Sequence, residues 1–145
     1  YWEKEFKQIK DEIKFGLNNF STYKKFGHNV KRSKYKLIQI LKNLKSKNKK
    51  IIGYGATAKA STILNYCSIS NDIIDYFVDT TPDKANKFMP GQKIKIYKNN
   101  KKLIDNADYI YLGAWNFKNE IFKKEKRFIK LGGKFITHVP NPKII

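Results

Sequence analysis

The stretch that decides the fold is IIGYGATAKASTILNYC, residues 51–67, which joins an apolar run, a glycine pair and a helical segment. Its centre, GYGATA at residues 53–58, fits the G-x-G-x-x-(G/A) pattern of a strand, a tight turn and a helix. The first glycine permits the turn, the second lets a pyrophosphate approach the backbone, and the small third residue lets the helix pack closely on the strand. This stretch therefore predicts a βα unit with a phosphate-binding turn.

The residues of this turn also favour an anion chemically. Free N–H groups and the positive end of the helix dipole face the space before the helix. Thr57 offers a hydroxyl and Lys59 a positive charge. We therefore expect phosphate contacts from Gly53, Tyr54, Gly55, Ala56, Thr57, Ala58 and Lys59. The alternative is a tight βα connection that holds no ligand.

The remainder of the chain follows the same architecture. After residue 50, short apolar runs alternate with helical segments, which is typical of βα units and a parallel sheet. Before it, apolar residues recur at three- and four-residue steps in two stretches, which indicates two helices. The sequence predicts an α/β, Rossmann-like three-layer domain over residues 49–145, with about five mostly parallel strands, preceded by a helical arm over residues 1–48. The strands are expected at 50–54, 73–79, 94–97, 109–114 and 134–138, and the helices of the domain at 58–67, 100–106 and 118–130.

Two further places lie where the carboxyl ends of strands are expected. Asp79 ends the run IIDYFVD, about 20 residues beyond the glycine turn, where dinucleotide-binding domains place a carboxylate on ribose hydroxyls. Capping of the next turn is an equal alternative for Asp79. Trp115 and Asn116 follow the fourth strand and should lie beside the glycine turn, offering an aromatic face and an amide. Core packing of Trp115 and helix capping by Asn116 are the alternatives.

Charge and composition narrow the classes of partner. The formal net charge is +19, yet nearly all the basic residues are lysines, with Arg32 and Arg127 as the arginines. Because base reading and bidentate phosphate recognition favour arginine, a nucleic acid partner is disfavoured. Cys67 is the one cysteine, so we expect no zinc cluster and a reducing, cytoplasmic location. No run approaches the length of a membrane span. His28 and His138 are interpreted as a solvated and a half-buried structural histidine.

Several segments in order resemble a known family: GYGATAKASTILNYCSI, then DIIDYFVDTTPDKANKFMPGQKIKI, AWNFKNEI and GGKFITHVPNP. They look like the C-terminal domain of S-adenosylmethionine-dependent C-methyltransferases that act on nucleotide-linked sugars. In that family the segments read roughly GYGAxAKxxTLLN, DxxPxKxGxxxPG and WNFxxEI. The preceding FSTYKKFGHNVKRSKYKLIQIL is similar to the helices that lead into this domain.

The resemblance implies a division of labour between two domains. An upstream methyltransferase domain holds S-adenosylmethionine, while this domain helps to bind the nucleotide-sugar substrate and holds no cofactor or metal of its own. The turn residues, Asp79, Trp115 and Asn116 then become contacts to diphosphate, nucleotide or sugar. The family's His-Gly-Gly-Ser-type catalytic motif and zinc cysteines have no counterpart here, and Ala60 and Ser61 replace its usual Gly-Asn pair. We therefore expect a fragment of a longer enzyme that does not methylate alone, with no catalytic residue of its own.

Three other functions remain open from the residues. The glycine pattern with a later carboxylate also fits an NAD(P)-type dinucleotide-binding domain. The positive charge permits a basic nucleic-acid-binding module. A purely scaffolding domain, which positions an upstream domain or a second copy, is the third alternative.

Overall fold

The computed structural model describes residues 2–145, so Tyr1 of the predicted arm lies outside the described residues. The chain divides into two compact units, one ending at Ser33 and the other formed by Lys34–Ile145. The predicted boundary at residues 48 and 49 stays a prediction. The elements in chain order are α1 (Trp2–Phe15), α2 (Phe20–Ser46), β1 (Ile51–Tyr54), α3 (Ala58–Cys67), β2 (Phe77–Asp79), β3 (Ile96–Lys98), α4 (Lys101–Asp105), β4 (Tyr109–Leu112), α5 (Lys118–Lys124), α6 (Lys126–Lys130), β5 (Lys134–Thr137) and β6 (Lys143–Ile144).

The first unit consists of α1 and the first part of α2. The first helix predicted from the spacing of apolar residues is present as α1. None of the residues of α1 is buried. Trp2 is 77% exposed and Phe6 is 61% exposed. The turn after α1 is fixed within the unit by the hydroxyl of Tyr23, which donates to the carbonyl of Leu17 at 2.6 Å.

The second unit is built on a six-stranded sheet with the order β3-β2-β1-β4-β5-β6. Strands β1 to β5 are parallel, and β6 runs antiparallel to β5. This is the strand order of Rossmann-type doubly wound domains, in which the order reverses between β1 and β4. The predicted α/β, Rossmann-like fold with a mostly parallel sheet and a preceding helical segment is confirmed.

Two apolar layers cover the faces of this sheet, because successive side chains of a strand point to opposite faces. Ile51 and Tyr111 join the layer that contains α3 and the second half of α2, where Leu37, Leu41 and Leu44 are buried. Ile52 and Ile110 join the opposite layer with α4, α5 and α6. Ile51 and Ile52, which are neighbours in β1 and point to opposite faces, are both fully buried, as expected for a central parallel strand.

Two predicted elements are corrected by the local backbone structure, and one short strand is added. The second strand begins at Phe77 rather than at residue 73, because the N–H groups of Ile73 and Ile74 both donate to the carbonyl of Ser70 and close a turn. The last helix is divided at Glu125, whose φ of −102° and ψ of 32° leave helical geometry. After the predicted strands, Lys143–Ile144 adds a short antiparallel edge that the sequence did not indicate.

No helix between residues 2 and 145 combines the length and the apolar character that crossing a membrane requires.

Candidate functional site

The carboxyl ends of β1 and β4 meet where the strand order reverses. The N–H groups of Gly113 and Ala114 donate to the carbonyl of Tyr54 at 2.9 and 3.2 Å. The hydroxyl of Thr57 donates to the carbonyl of Gly113 at 3.0 Å. The structure thus brings the glycine turn and the segment after β4 together, at the place where open α/β sheets bind ligands.

Close packing explains the glycines at this edge. A side chain at Gly53 would enter the ring of Phe77, and one at Gly113 would meet the carbonyl oxygen of Gly55. Gly55 has a φ of +82°, and a Cβ there would lie 2.5 Å from the Cβ of Ala114. Because the fold itself requires these glycines, the glycine pair alone does not identify a ligand.

The N–H groups of the turn give a more specific indication. The N–H of Gly55 donates to Val78, that of Thr57 donates to Gly55, and that of Ala60 donates to the hydroxyl of Thr57 at 3.1 Å. The next two groups, on Ala58 and Lys59, find no acceptor anywhere in residues 2–145. Both residues are exposed at the start of α3. The helix therefore presents two N–H donors and its positive dipole end outward, an arrangement suited to an anion.

Asp79 is buried beneath the turn, with 5% of its surface exposed. Its Oδ2 accepts from the N–H of Ala56 at 2.7 Å and from Nζ of Lys84 at 3.2 Å. Its Oδ1 accepts from the N–H of Thr81 at 2.8 Å. Burial alone would raise the pKa of Asp79, but the bonds from Thr81, Lys84 and Ala56 outweigh it and hold this pKa below its ordinary value. The carboxylate is therefore ionised and already bonded to the glycine turn through Ala56 and to the following segment through Thr81.

Trp115 and Asn116 lie beside the turn in a single 3₁₀ turn, Trp115–Phe117. Nζ of Lys59 is 5.3 Å from the centre of the Trp115 ring, which is a cation–π distance. Trp115 is half-buried against the layer of α4 to α6. The next helix, α5, begins without a side-chain cap. The exposed side chain of Asn116 makes no hydrogen bond within residues 2–145, so its amide is available to a ligand.

Tyr54 turns its side chain away from the turn and into the opposite layer. Its hydroxyl donates to Oε1 of Glu125 at 3.0 Å and accepts from Nδ2 of Asn99 at 2.8 Å. Burial, followed by the nearby Glu125 charge, raises the pKa of Tyr54. Asn99 and Glu125 were not predicted from the sequence, because their hydrogen bonds to Tyr54 join residues 45 and 71 positions apart. Tyr54 therefore contributes only its backbone to the site, because its side chain points away from it.

His138 follows β5 at the same edge of the sheet. Its Nδ1 lies 3.0 Å from the hydroxyl of Tyr111, and the two rings are stacked with an angle of 23° between their planes. The Tyr111 hydroxyl makes no other hydrogen bond within residues 2–145 and is fully buried, so it donates its proton to Nδ1. Burial lowers the pKa of His138 to about 4. The neutral ring fits the predicted structural histidine.

This shift predicts a pH dependence of stability. The folded-state pKa of His138 is depressed from 6.5 to about 4, so the unfolded chain binds the proton first as the pH falls. We expect the stability present above pH 6.5 to fall as the pH drops toward 4, by about 3 kcal/mol from this residue. Urea unfolding of the wild type and of His138→Phe at several pH values measures the difference. An equal pH dependence in both proteins would contradict the assignment.

The other titratable candidates do not converge on this edge. His28 is exposed in the first unit, and Cys67 is a free, buried cysteine at the C-terminal end of α3. Within residues 2–145, no three His, Cys, Asp or Glu side chains are grouped to hold a metal ion.

Comparison with known proteins gives a consistent result. The family model described as the C-methyltransferase C-terminal domain matches residues 4–140. The C-methyltransferase NovU of Streptomyces niveus is 31% identical over 137 residues. That similarity covers 94% of this chain and 33% of NovU, so the chain spans about a third of the length of this curated relative. The resemblance to the C-terminal domain of C-methyltransferases, identified from the sequence motifs, is confirmed.

Proposed function

Because this chain belongs to the C-methyltransferase C-terminal domain family, we propose that it is the substrate-binding part of a larger S-adenosylmethionine-dependent enzyme. The substrate is a nucleotide-linked sugar, and its diphosphate lies at the start of α3. The observation that carries this proposal is the pair of free N–H donors on Ala58 and Lys59 at the point where the strand order reverses.

The neighbouring side chains support the same ligand. Lys59 adds a positive charge beside the two N–H donors, one of which is its own. Its ammonium group contacts the Trp115 ring and is thereby directed toward the segment after β4. The half-buried Trp115 offers an aromatic face on which a base or a sugar can pack. Asn116 adds an exposed amide that can donate to and accept from hydroxyl groups. The surface is thus suited to an anion joined to a polar ring.

The same site does not fit S-adenosylmethionine in the usual way. Rossmann-type sites bind a cofactor ribose with the carboxylate that ends β2. Here that carboxylate, on Asp79, accepts from Ala56, Thr81 and Lys84 and is 5% exposed. We therefore assign the methyl donor to a domain upstream of this chain, together with the methyl transfer itself.

The partner proposed for this domain is consequently the upstream methyltransferase domain, and the enzyme works where its nucleotide-sugar is made, in the cytoplasm. A free, buried cysteine is compatible with such a reducing compartment. In this division of labour, residues of the present chain bind and orient the substrate. The residues that move protons and the methyl group belong to the other domain.

The proposal is tested by titration calorimetry of the 145-residue chain with uridine diphosphate and, separately, with NAD. We expect uridine diphosphate to bind and NAD to bind more weakly, because Asp79 is not available to the adenosine ribose. Tighter binding of NAD would favour the dinucleotide alternative, for which the strand order is the supporting observation. Binding of a DNA duplex that weakens steeply with salt, without binding of either nucleotide, would favour the nucleic acid alternative.

A further inference from the structure

Asp79 connects the glycine turn to the segment that follows β2. The Ala56 N–H lies on the turn, whereas the Thr81 N–H and the Lys84 ammonium lie on the other segment, and the two carboxylate oxygens accept from all three. In the sequence Asp79, Thr81 and Lys84 belong to the motif DTTPDK, residues 79–84. Asp79 and Lys84, the first and last residues of this motif, thus form an ion pair beneath the turn.

We propose that Asp79 is a positioning residue, which holds the turn so that the N–H groups of Ala58 and Lys59 face the ligand, and that it does not contact ribose. This inference rests on the proposed function, because it concerns how that site is held. It gives Asp79 a role that differs from the one its place in a dinucleotide-binding pattern predicts.

The geometry of the carboxylate supports a positioning role. Gly55 enters the left-handed region at a φ of +82°, and Thr57 then takes extended angles, φ −96° and ψ 159°, before α3 starts. The residue between them, Ala56, donates its N–H only to Asp79. This hydrogen bond therefore fixes the orientation of the peptide that sets the direction of the first helical turn.

The charge of Asp79 is needed as well as its shape. Two backbone N–H donors face its two oxygens, one on each, and Lys84 adds a third donor. In Asp79→Asn, an NH₂ group faces either the Thr81 donor or the Ala56 and Lys84 donors, and the oxygen that remains is a neutral and therefore weaker acceptor. The side-chain volume is nearly unchanged, so the variant weakens the hydrogen bonding without leaving a cavity.

The experiment compares two ligands that differ in ribose. The wild-type 145-residue chain, Asp79→Asn and Lys84→Met are titrated with uridine diphosphate and with inorganic pyrophosphate. We expect Asp79→Asn to weaken the binding of both ligands by the same factor, about 10-fold, since the negative charge that strengthens the hydrogen bond from Ala56 at the turn is lost. Lys84→Met, which keeps Asp79 but removes its ion pair, should weaken both ligands equally and by less.

Amide spectra of the ligand-free proteins provide a readout that a general loss of stability would not produce. We expect the Ala58 and Lys59 resonances to shift in Asp79→Asn while those of α6 stay in place. Lys84→Met gives the same comparison if Asp79→Asn does not fold.

The outcomes are separable. Weakened binding of uridine diphosphate with unchanged binding of pyrophosphate would show a ribose contact and overturn the positioning role, while leaving the proposed function in place. Unchanged binding of both ligands would also overturn it. A wild-type chain that binds neither ligand refutes the proposed function and the binding role with it, and the amide shifts then still report whether Asp79 holds the turn.

Discussion

Replacing Gly53 with alanine is expected to lower the free energy of unfolding by about 1–3 kcal/mol, which is the usual cost of overpacking a core. The added Cβ would point into the ring of Phe77, which is fully buried and cannot rotate into solvent. Because Gly53 lies in the central strand β1, between β2 and β4, a backbone shift there would disturb both neighbours. Urea unfolding of the purified chain measures the change.

A second substitution tests whether the loss of stability comes from the contact with the Phe77 ring or from any added side chain in the glycine turn. Phe77→Leu removes the far end of the ring, so the double variant Gly53→Ala with Phe77→Leu should be more stable than the sum of the single effects predicts. The matched control is Gly55→Ala, whose Cβ would meet Ala114 at a positive φ, and which Phe77→Leu should not rescue. Additive effects at Gly53 and Phe77 would contradict the packing account.

Replacing Ala58 with proline is expected to weaken nucleoside diphosphate binding by about 10-fold without unfolding α3, since one charge-assisted hydrogen bond is removed. Ala58 is the first residue of the helix, where proline is well accepted because its missing N–H has no partner in the helix. Thr57 precedes it in an extended conformation, φ −96° and ψ 159°, which is the conformation that a following proline requires. The substitution therefore removes one donor and little else.

Ala58→Ser is the matched control, because it keeps the N–H and adds only an exposed polar atom. Circular dichroism and thermal unfolding should show the same folded structure for both variants, and titration calorimetry should show weakened binding for the proline variant alone. Equal affinities in the two variants would mean that the Ala58 N–H does not hold the phosphate. An equal loss in both would indicate that the exposed surface, not the donor, was responsible.

The fold was largely predictable because local patterns and the sheet agree. The run at residues 51–54 is followed by a glycine turn and a helix within one stretch, and the later apolar runs alternate with helical segments, which is the pattern of parallel βα units. The predicted ends of an element were less accurate where local hydrogen bonds determine them. The turn at Ser70 shortens β2, and the last helix is divided at Glu125, whose side chain accepts a hydrogen bond from the hydroxyl of Tyr54, 71 positions earlier.

The sequence predicted the location of the candidate site better than it predicted the role of each residue in it. Spacing brought the turn, Asp79 and Trp115 to one edge, because the carboxyl ends of parallel strands share that edge. It did not indicate that Asp79 bonds to Ala56, since a carboxylate at that position is equally suited to a hydroxyl or to an N–H. Nor did it indicate that the Tyr54 side chain points away, because that depends on Asn99 and Glu125 in other elements.

The central claim is that a diphosphate binds at the start of α3, and its most direct test is an amide-resolved NMR titration of the ¹⁵N-labelled 145-residue chain with uridine diphosphate. We predict that the resonances of Ala58 and Lys59 shift most and saturate together, with smaller shifts at Gly55 to Thr57. An absence of change at these amides when the ligand is in large excess, or a saturating shift confined to another surface, would contradict the account.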